Sequence, residues 1–236
     1  MPPKRYEAVE EKGADGRSAG HEQNAGDLEI TKRFAQGWWT RHLRALPHEG
    51  RPLRTLDIGS KYPWFAHCLG KLGCTAYALD AMDRETPDQP PIVHKYAADL
   101  GVPMLLLDFE ETAALDIIAQ TGGSPFDGVS LIHVFEHIYD AQAGLQKIAD
   151  LLVPGGSLLI RMPDIEVEGF EPHLSARHYP IHPYYYSAIS FTHALCESGA
   201  PLELVQTYPI GYGTRDYLLR HVPEDEWQLR KLGPTK

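Results

Sequence analysis

The chain has 236 residues, with 32 acidic against 22 basic side chains and a formal net charge of −10. That balance argues against a nucleic-acid partner, because phosphate backbones are gripped by clustered Lys and Arg, and no apolar run approaches the ~20 residues that span a bilayer. Its three cysteines, Cys68, Cys74 and Cys196, are odd in number and lack metal-ligand spacing, so they read as small buried side chains of a reduced cytoplasm.

Residues 1–26 combine Glu, Lys, Gly and Ala with almost no large apolar side chains, a composition expected to stay disordered. This charged, Gly-rich start is unlike a secretion signal, which points to a cytoplasmic protein. Residues 27–236 have the length of one α/β domain. Asp27 opens an amphipathic helix expected over 27–46, with Ile30, Phe34, Trp38 and Leu43 near one stripe and Pro47 ending it. Packed flat, such a helix would lie on a sheet edge; its Trp38-Trp39 pair also makes it the candidate surface for a homodimer. Strands are expected at about 53–58, 74–80, 103–108, 126–133 and 156–162, with helices between them. The clearest helix covers 140–152, where Asp140 can cap and Leu145, Ile148, Ala149 and Leu152 recur at helical spacing. Alternation of this kind implies a mainly parallel sheet with right-handed crossovers. A helix near 185–198 stops at Gly199, and two closing strands, 202–208 and 214–220, flank Pro209-Ile210-Gly211-Tyr212-Gly213.

Ligand chemistry in such a fold collects at the carboxyl ends of the parallel strands. Thr55-Leu56-Asp57-Ile58-Gly59-Ser60, followed about twenty residues later by Ala78-Leu79-Asp80, reads as the opening of a nucleotide-binding βαβ unit. Gly59 would let a ligand approach the backbone, and Asp80, or failing it Asp83, would accept hydrogen bonds from two ribose hydroxyls. After Gly59 come Ser60-Lys61-Tyr62-Pro63, so G-x-G-x-x-G fails at its second glycine. A pyrophosphate needs that bare turn and a nucleoside needs it less, which leaves room for an adenosine-type ligand. Asp108-Phe109 ends the third strand beside Glu110 and Glu111. His133 ends the fourth, either as a site residue or as a satisfied structural side chain.

The most distinctive composition lies over 163–186, where Asp164, Glu166, Glu168, His173, His178, Tyr179, His182 and Tyr184-Tyr185-Tyr186 gather. Histidine can accept a proton near neutral pH and tyrosine offers an aromatic wall with a polar tip. A polar loop anchored by its aromatics has the same composition. His173, His178 and His182 could ligate a metal with Glu168 or Asp164, but spacing on a loop is not diagnostic, and no metal is assigned.

Phe126-Asp127-Gly128-Val129, then Glu136-His137-Ile138, an amphipathic helix, and Leu152-Val153-Pro154-Gly155-Gly156 before a hydrophobic strand complete the pattern begun by Leu56-Asp57-Ile58-Gly59. Over roughly Leu53 to Arg220 the chain resembles the class I S-adenosylmethionine-dependent methyltransferases. Lys61 and Pro63 stand where that family usually has its second and third glycines. The resemblance implies a Rossmann-like α/β fold: a seven-stranded, mainly parallel sheet with an antiparallel last strand and helices on both faces. It implies S-adenosyl-L-methionine as cofactor, held by Asp57, Gly59, Lys61, Asp80, Asp108, Phe109 and His133. Lys61 would pair with the methionine carboxylate, Asp108 would meet the adenine amino group and Phe109 would pack on its ring. The N-terminal helix would cover the cofactor mouth, and Glu136-His137 would organise the turn into the next helix. The 163–186 segment would form the acceptor pocket, with His173, Tyr179, Tyr184 and Tyr185 binding substrate and His182, His178 or His133 as the catalytic base. The implied reaction is methyl transfer to a small-molecule acceptor, a hydroxyl of a sugar or secondary metabolite. A lyase or cyclase that releases methylthioadenosine, and a non-catalytic S-adenosylmethionine binder, are the alternatives.

Overall fold

Seven strands make one sheet in the computed structural model, which describes residues 20–60, 62–81, 97–170 and 183–231. They are β1 Arg54–Ile58, β2 Thr75–Asp80, β3 Met104–Leu106, β4 Phe126–Ile132, β5 Leu152–Pro163, β6 Leu202–Gly211 and β7 Thr214–His221, ordered β3-β2-β1-β4-β5-β7-β6. β1 to β5 pair in parallel, and β7 lies antiparallel between β5 and β6. The expected class, with its reversed last strand, is what forms.

Helices α1 Gly20–Trp38, α2 Trp64–Lys71, α3 Ala114–Gln120, α4 Ala141–Leu151, α5 Ala188–Ser198 and α6 Glu224–Lys231 accompany the sheet. Alternation along the strands sends their side chains to both faces, and each face acquires its own apolar layer. On one, Trp38 and Leu43 from α1 and its following turn join Phe65 and Leu69 of α2 against Ala78, Leu159 and Leu218. On the other, Ile117, Leu145, Ile148 and Phe191 from α3, α4 and α5 pack against Leu158, Ile160 and Tyr217. Asp140 caps α4 by accepting the Ala143 N–H at 2.9 Å, and Ser187 and Ser190 cap α5 reciprocally. Asp127, the acid of the F-D signature, is buried; it accepts two Arg51 guanidinium hydrogens at 2.6 and 2.7 Å and the Arg54 N–H at 2.8 Å, tying the start of β4 to that of β1.

Several boundaries differ from expectation. α1 opens at Gly20, not Asp27, so residues 20–26, expected to be disordered, are helical. Once its packed end has nucleated, a helix extends at a cost of few dihedrals per added hydrogen bond. After Trp38 the helix widens into a π turn over Trp39–Leu43. Its inward face runs through Ala35, Trp38 and Leu43, and Ile30 is exposed, one position off the expected stripe. Trp38 stacks on Phe65 and donates its indole N–H to Ser157 Oγ at 3.2 Å. It is therefore buried against its own sheet face, not on the sheet edge, while Trp39 beside it is only partly buried. β5 starts at Leu152, and the expected Pro154-Gly155-Gly156 turn is a bulge within it, where the β4 register slips between Phe126 and Gly128. Cys68 and Cys74 are buried as expected, but Cys196 is exposed, because Phe191 and Leu195 take the inward side of α5. Helix α6, charged along its length and with no buried residue, has no counterpart in the expected elements. Among the described residues no helix is long and apolar enough to cross a membrane.

Candidate functional site

The carboxyl ends of β1, β2 and β4 meet at Gly59. Its backbone turns left-handed, φ +71°, and its N–H reaches across to Leu79 O on β2 at 2.7 Å. Beneath it Val134 closes the space so fully that a Cβ at position 59 would lie 2.3 Å from Val134 Cγ2. Only glycine suits both the conformation and the approach. A cavity of about 260 Å³ opens here, bordered by Asp57, Gly59, Ser60, Tyr62, Trp64 and Thr31. Thr31 comes from α1, so the helix that packs on the sheet face also reaches the mouth.

Asp57 is buried, and each of its oxygens accepts one hydroxyl at 2.6 Å, from Ser60 Oγ and Ser130 Oγ. Burial pushes its carboxyl up to about 6 against the opposing pull of these two hydrogen bonds, and the charge of Asp80 adds to the rise. Asp80, also buried, ends β2 as expected. Two coupled acids thus sit at the ends of adjacent strands, one braced by serines and one beside the glycine turn. Lys61 and Asp83 lie outside the described residues.

Asp108 follows β3 and uses Oδ1 to accept the Glu110 N–H at 2.8 Å and the Glu111 N–H at 3.3 Å, an Asx-type turn that leaves Oδ2 for other contacts. Phe109 is not brought to the cavity. It is buried in the core layer, with the Lys147 ammonium 5.1 Å from its ring centroid and bonded to its carbonyl at 2.7 Å. Glu110 instead caps the approach to α4 by accepting the Tyr139 N–H at 2.8 Å.

His133 stands at the end of β4 with a half-exposed side chain and a left-handed backbone, φ 56°, an uncommon conformation outside glycine that concentrates at functional sites. Its N–H is fixed to Arg161 O at 2.7 Å. Glu136, buried in the short 3-10 turn Phe135–His137, places Oε1 3.6 Å from His133 Nδ1.

Of the 163–186 segment, residues 171–182 lie outside the described residues, and with them His173, His178, Tyr179 and His182. Its ends are firmly anchored. Asp164 bridges Tyr186, and Ile165 N–H donates to Tyr186 O at 2.9 Å. The Asp164 carboxylate, fully buried, accepts Arg215 Nε and Tyr217 OH, each at 2.7 Å, and the Glu166 N–H at 2.8 Å. Those contacts occupy it, so the proposed sharing of Asp164 in a metal site is replaced by a structural role; the phenol of Tyr217 is pushed up by burial and by this bond. Gly213 N–H donates to Glu168 O at 2.9 Å, and a Cβ at Gly213 would lie 2.4 Å from Phe170 Cα. Tyr184 is exposed and donates to Tyr139 O at 2.9 Å, Tyr185 meets the Phe170 ring edge-on at 5.5 Å, and Tyr186 belongs to the core with Phe135 and Phe191.

The structure therefore joins Asp57, Gly59 and Asp80 at one edge with His133 nearby, and adds Ser60, Ser130, Tyr62, Trp64 and Thr31. Ser130 faces Asp57 because the two are register partners on β4 and β1, a relation visible only once those strands are known to be neighbours. A larger cavity, about 350 Å³, lies at the opposite, amino ends of the strands beside Trp39, Arg51 and Leu72, away from where open α/β sheets bind nucleotides.

A parallel sheet with this strand order, a glycine turn after β1 and an acid ending β2 defines a nucleotide-site α/β protein of the methyltransferase type. The chain belongs to the methyltransferase domain family, whose model matches residues 30–206. Among curated proteins it is 32% identical over 139 residues to a ubiquinone biosynthesis O-methyltransferase of Dinoroseobacter shibae, covering 59% of this chain and 52% of that one. It is 31% identical over 140 residues to the protein of the same name from Cereibacter sphaeroides, with the same coverage. The chain thus spans about half the length of the curated relatives it matches. Among solved structures, the magnesium protoporphyrin IX methyltransferase of Synechocystis shares the fold with a TM-score of 0.53 at 14% identity, over 87% of this chain and 86% of that one.

Proposed function

We propose that the chain binds S-adenosyl-L-methionine at the carboxyl edge of β1, β2 and β4 and transfers its methyl group to a small-molecule acceptor, most suitably a hydroxyl of a sugar or secondary metabolite. One observation carries the reading: the Gly59 turn, closed beneath by Val134 and set between the buried acids Asp57 and Asp80, opens on a cavity at the carboxyl edge of the sheet. These residues fit a nucleoside cofactor, since the bare backbone admits the ligand and Asp80 offers a carboxylate to vicinal hydroxyls. The names of the relatives support oxygen as the accepting atom, and a neighbour of the same fold was solved with S-adenosylmethionine bound.

S-adenosylmethionine supplies an electrophilic methyl carbon on a sulfonium. The chain's own tasks are to hold and align donor and acceptor and to take a proton from the acceptor hydroxyl. Asp57, braced by Ser60 and Ser130, keeps the turn after β1 in place; Asp80 and Gly59 bind. His133 is a base candidate at the strand end, alongside His178 and His182, and Tyr184 and Tyr185 border the acceptor side.

Incubation with S-adenosylmethionine and a panel of hydroxylated acceptors, read by mass spectrometry, tests this. S-adenosylhomocysteine together with an acceptor heavier by one methyl supports it. Methylthioadenosine would replace it with lyase or cyclase chemistry, and binding without any product would make the chain a binder.

A further inference from the structure

Aromatic residues stand beside the positions at which the loop after β1 departs from a glycine-rich pattern. Tyr62 and Trp64 flank Pro63, and the Trp64 N–H donates to Tyr62 O at 2.7 Å, folding the segment back on itself. The two rings consequently stack, centroids 5.6 Å apart and planes 24° from parallel. Both border the cavity at Gly59, where Asp57 lies and where no Lys, Arg or His stands among the described lining residues. An aromatic pair beside an acid makes a surface suited to a cation: a positive charge within about 6 Å of a ring face is attracted to its quadrupole. Mutual stacking orders the rings before any ligand arrives, which lowers the entropy lost on binding.

We propose that Tyr62 and Trp64 recognise the positive charge of the sulfonium, so that the site prefers the methyl donor over its neutral product, S-adenosylhomocysteine. This rests on the cofactor reading above. Preference for the charged form favours release of the spent cofactor after transfer, since the two ligands differ there only by the methyl group and its charge.

Calorimetric titration of S-adenosylmethionine, S-adenosylhomocysteine and sinefungin, whose amine carries a charge near the sulfonium position, tests the assignment on the wild type and on Tyr62→Leu, Trp64→Leu and Tyr62→Phe. Each leucine variant is expected to weaken the two charged ligands by about three- to thirty-fold, the range of a cation–aromatic contact, and to change S-adenosylhomocysteine by less than about twofold. Tyr62→Phe keeps the ring face and should keep the wild-type preference. Equal weakening of all three ligands would overturn the proposal, assigning the rings to a part they share, such as the α-ammonium or the adenine. Unchanged affinities would remove the pair from the site. If Trp64→Leu fails to fold, Tyr62→Leu against Tyr62→Phe decides alone, because Tyr62 is exposed. A wild type that binds all three while the preference ignores Tyr62 sinks only this inference, whereas a wild type that binds none of them sinks the cofactor reading and this inference with it.

Discussion

Replacing Gly59 by alanine separates two costs of the turn after β1. The first is conformational: at φ +71° an alanine occupies the left-handed region, which disfavours an L residue by about 1–2 kcal/mol. The second is steric, because the new methyl would stand 2.3 Å from Val134 Cγ2 and 2.8 Å from Cγ1, and overpacking of this kind costs about 1–3 kcal/mol. Gly59→Ala should therefore lose about 2–5 kcal/mol of stability. Val134→Ala removes both γ-carbons and leaves its Cβ at 3.1 Å from the new methyl, a contact that a few tenths of an ångström relieve. In the double variant most of the steric part should return and none of the conformational part. Urea unfolding of the wild type, both single variants and the double variant closes the cycle, with an expected favourable coupling of about 1–3 kcal/mol. Strictly additive costs would refute the Val134 contact, and a Gly59→Ala protein as stable as the wild type would refute the left-handed turn.

Asp80→Ala should weaken S-adenosylmethionine by about 1.5–3 kcal/mol, the range for hydrogen bonds to a charged group; calorimetry showing no change would move the ribose contact to Asp83 or end the cofactor assignment. Asp57 makes stability pH-dependent in a fixed direction. Its carboxyl is raised from 3.8 to about 6 by burial first, so below the lower value both folded and unfolded chains hold the proton. As pH rises through this window the unfolded chain releases it first, and the folded state loses about 3 kcal/mol relative to acid. Urea midpoints of Asp57→Asn should lack that decline, and parallel curves for variant and wild type between pH 4 and 7 would contradict it. Alanine at whichever of His133, His178 or His182 is the base should slow turnover by about 10²–10⁴-fold with cofactor affinity nearly intact; full activity in all three single variants would leave the proton to another acceptor.

What could be read from the chain was whatever depends on near neighbours in sequence. Gly59 follows a buried strand, Asp140 precedes a helical repeat, and Gly199 ends one, so these features were visible without topology. Residues that owe their role to distant chain were not. Ser130 braces Asp57 only because β4 lies beside β1, and Phe109 turned into the core because the Lys147 ammonium of α4 covers its ring. Asp164 looked like a ligand from its acidic, histidine-rich surroundings, yet Arg215 and Tyr217 arrive from a strand some fifty residues later to claim it. The aromatic wall of the cavity was hidden for another reason: Tyr62 and Trp64 stand beside Lys61 and Pro63, and the loop was read only for the glycines missing at those two positions.

The anchoring of the 163–186 segment has an engineering consequence. Its two ends meet as neighbouring backbone at Asp164 and Tyr186, so the stretch between them can be exchanged as a cassette that starts and finishes at adjacent points. The cassette is not wholly independent, because Gly213 in the β6–β7 turn presses against Phe170 with no room for a side chain. Under the proposed function, transplanting an acceptor specificity from a relative thus calls for two sequence blocks moved together, the segment and the turn that clasps it, whereas the proposed cofactor edge on β1 and β2 can stay as it is.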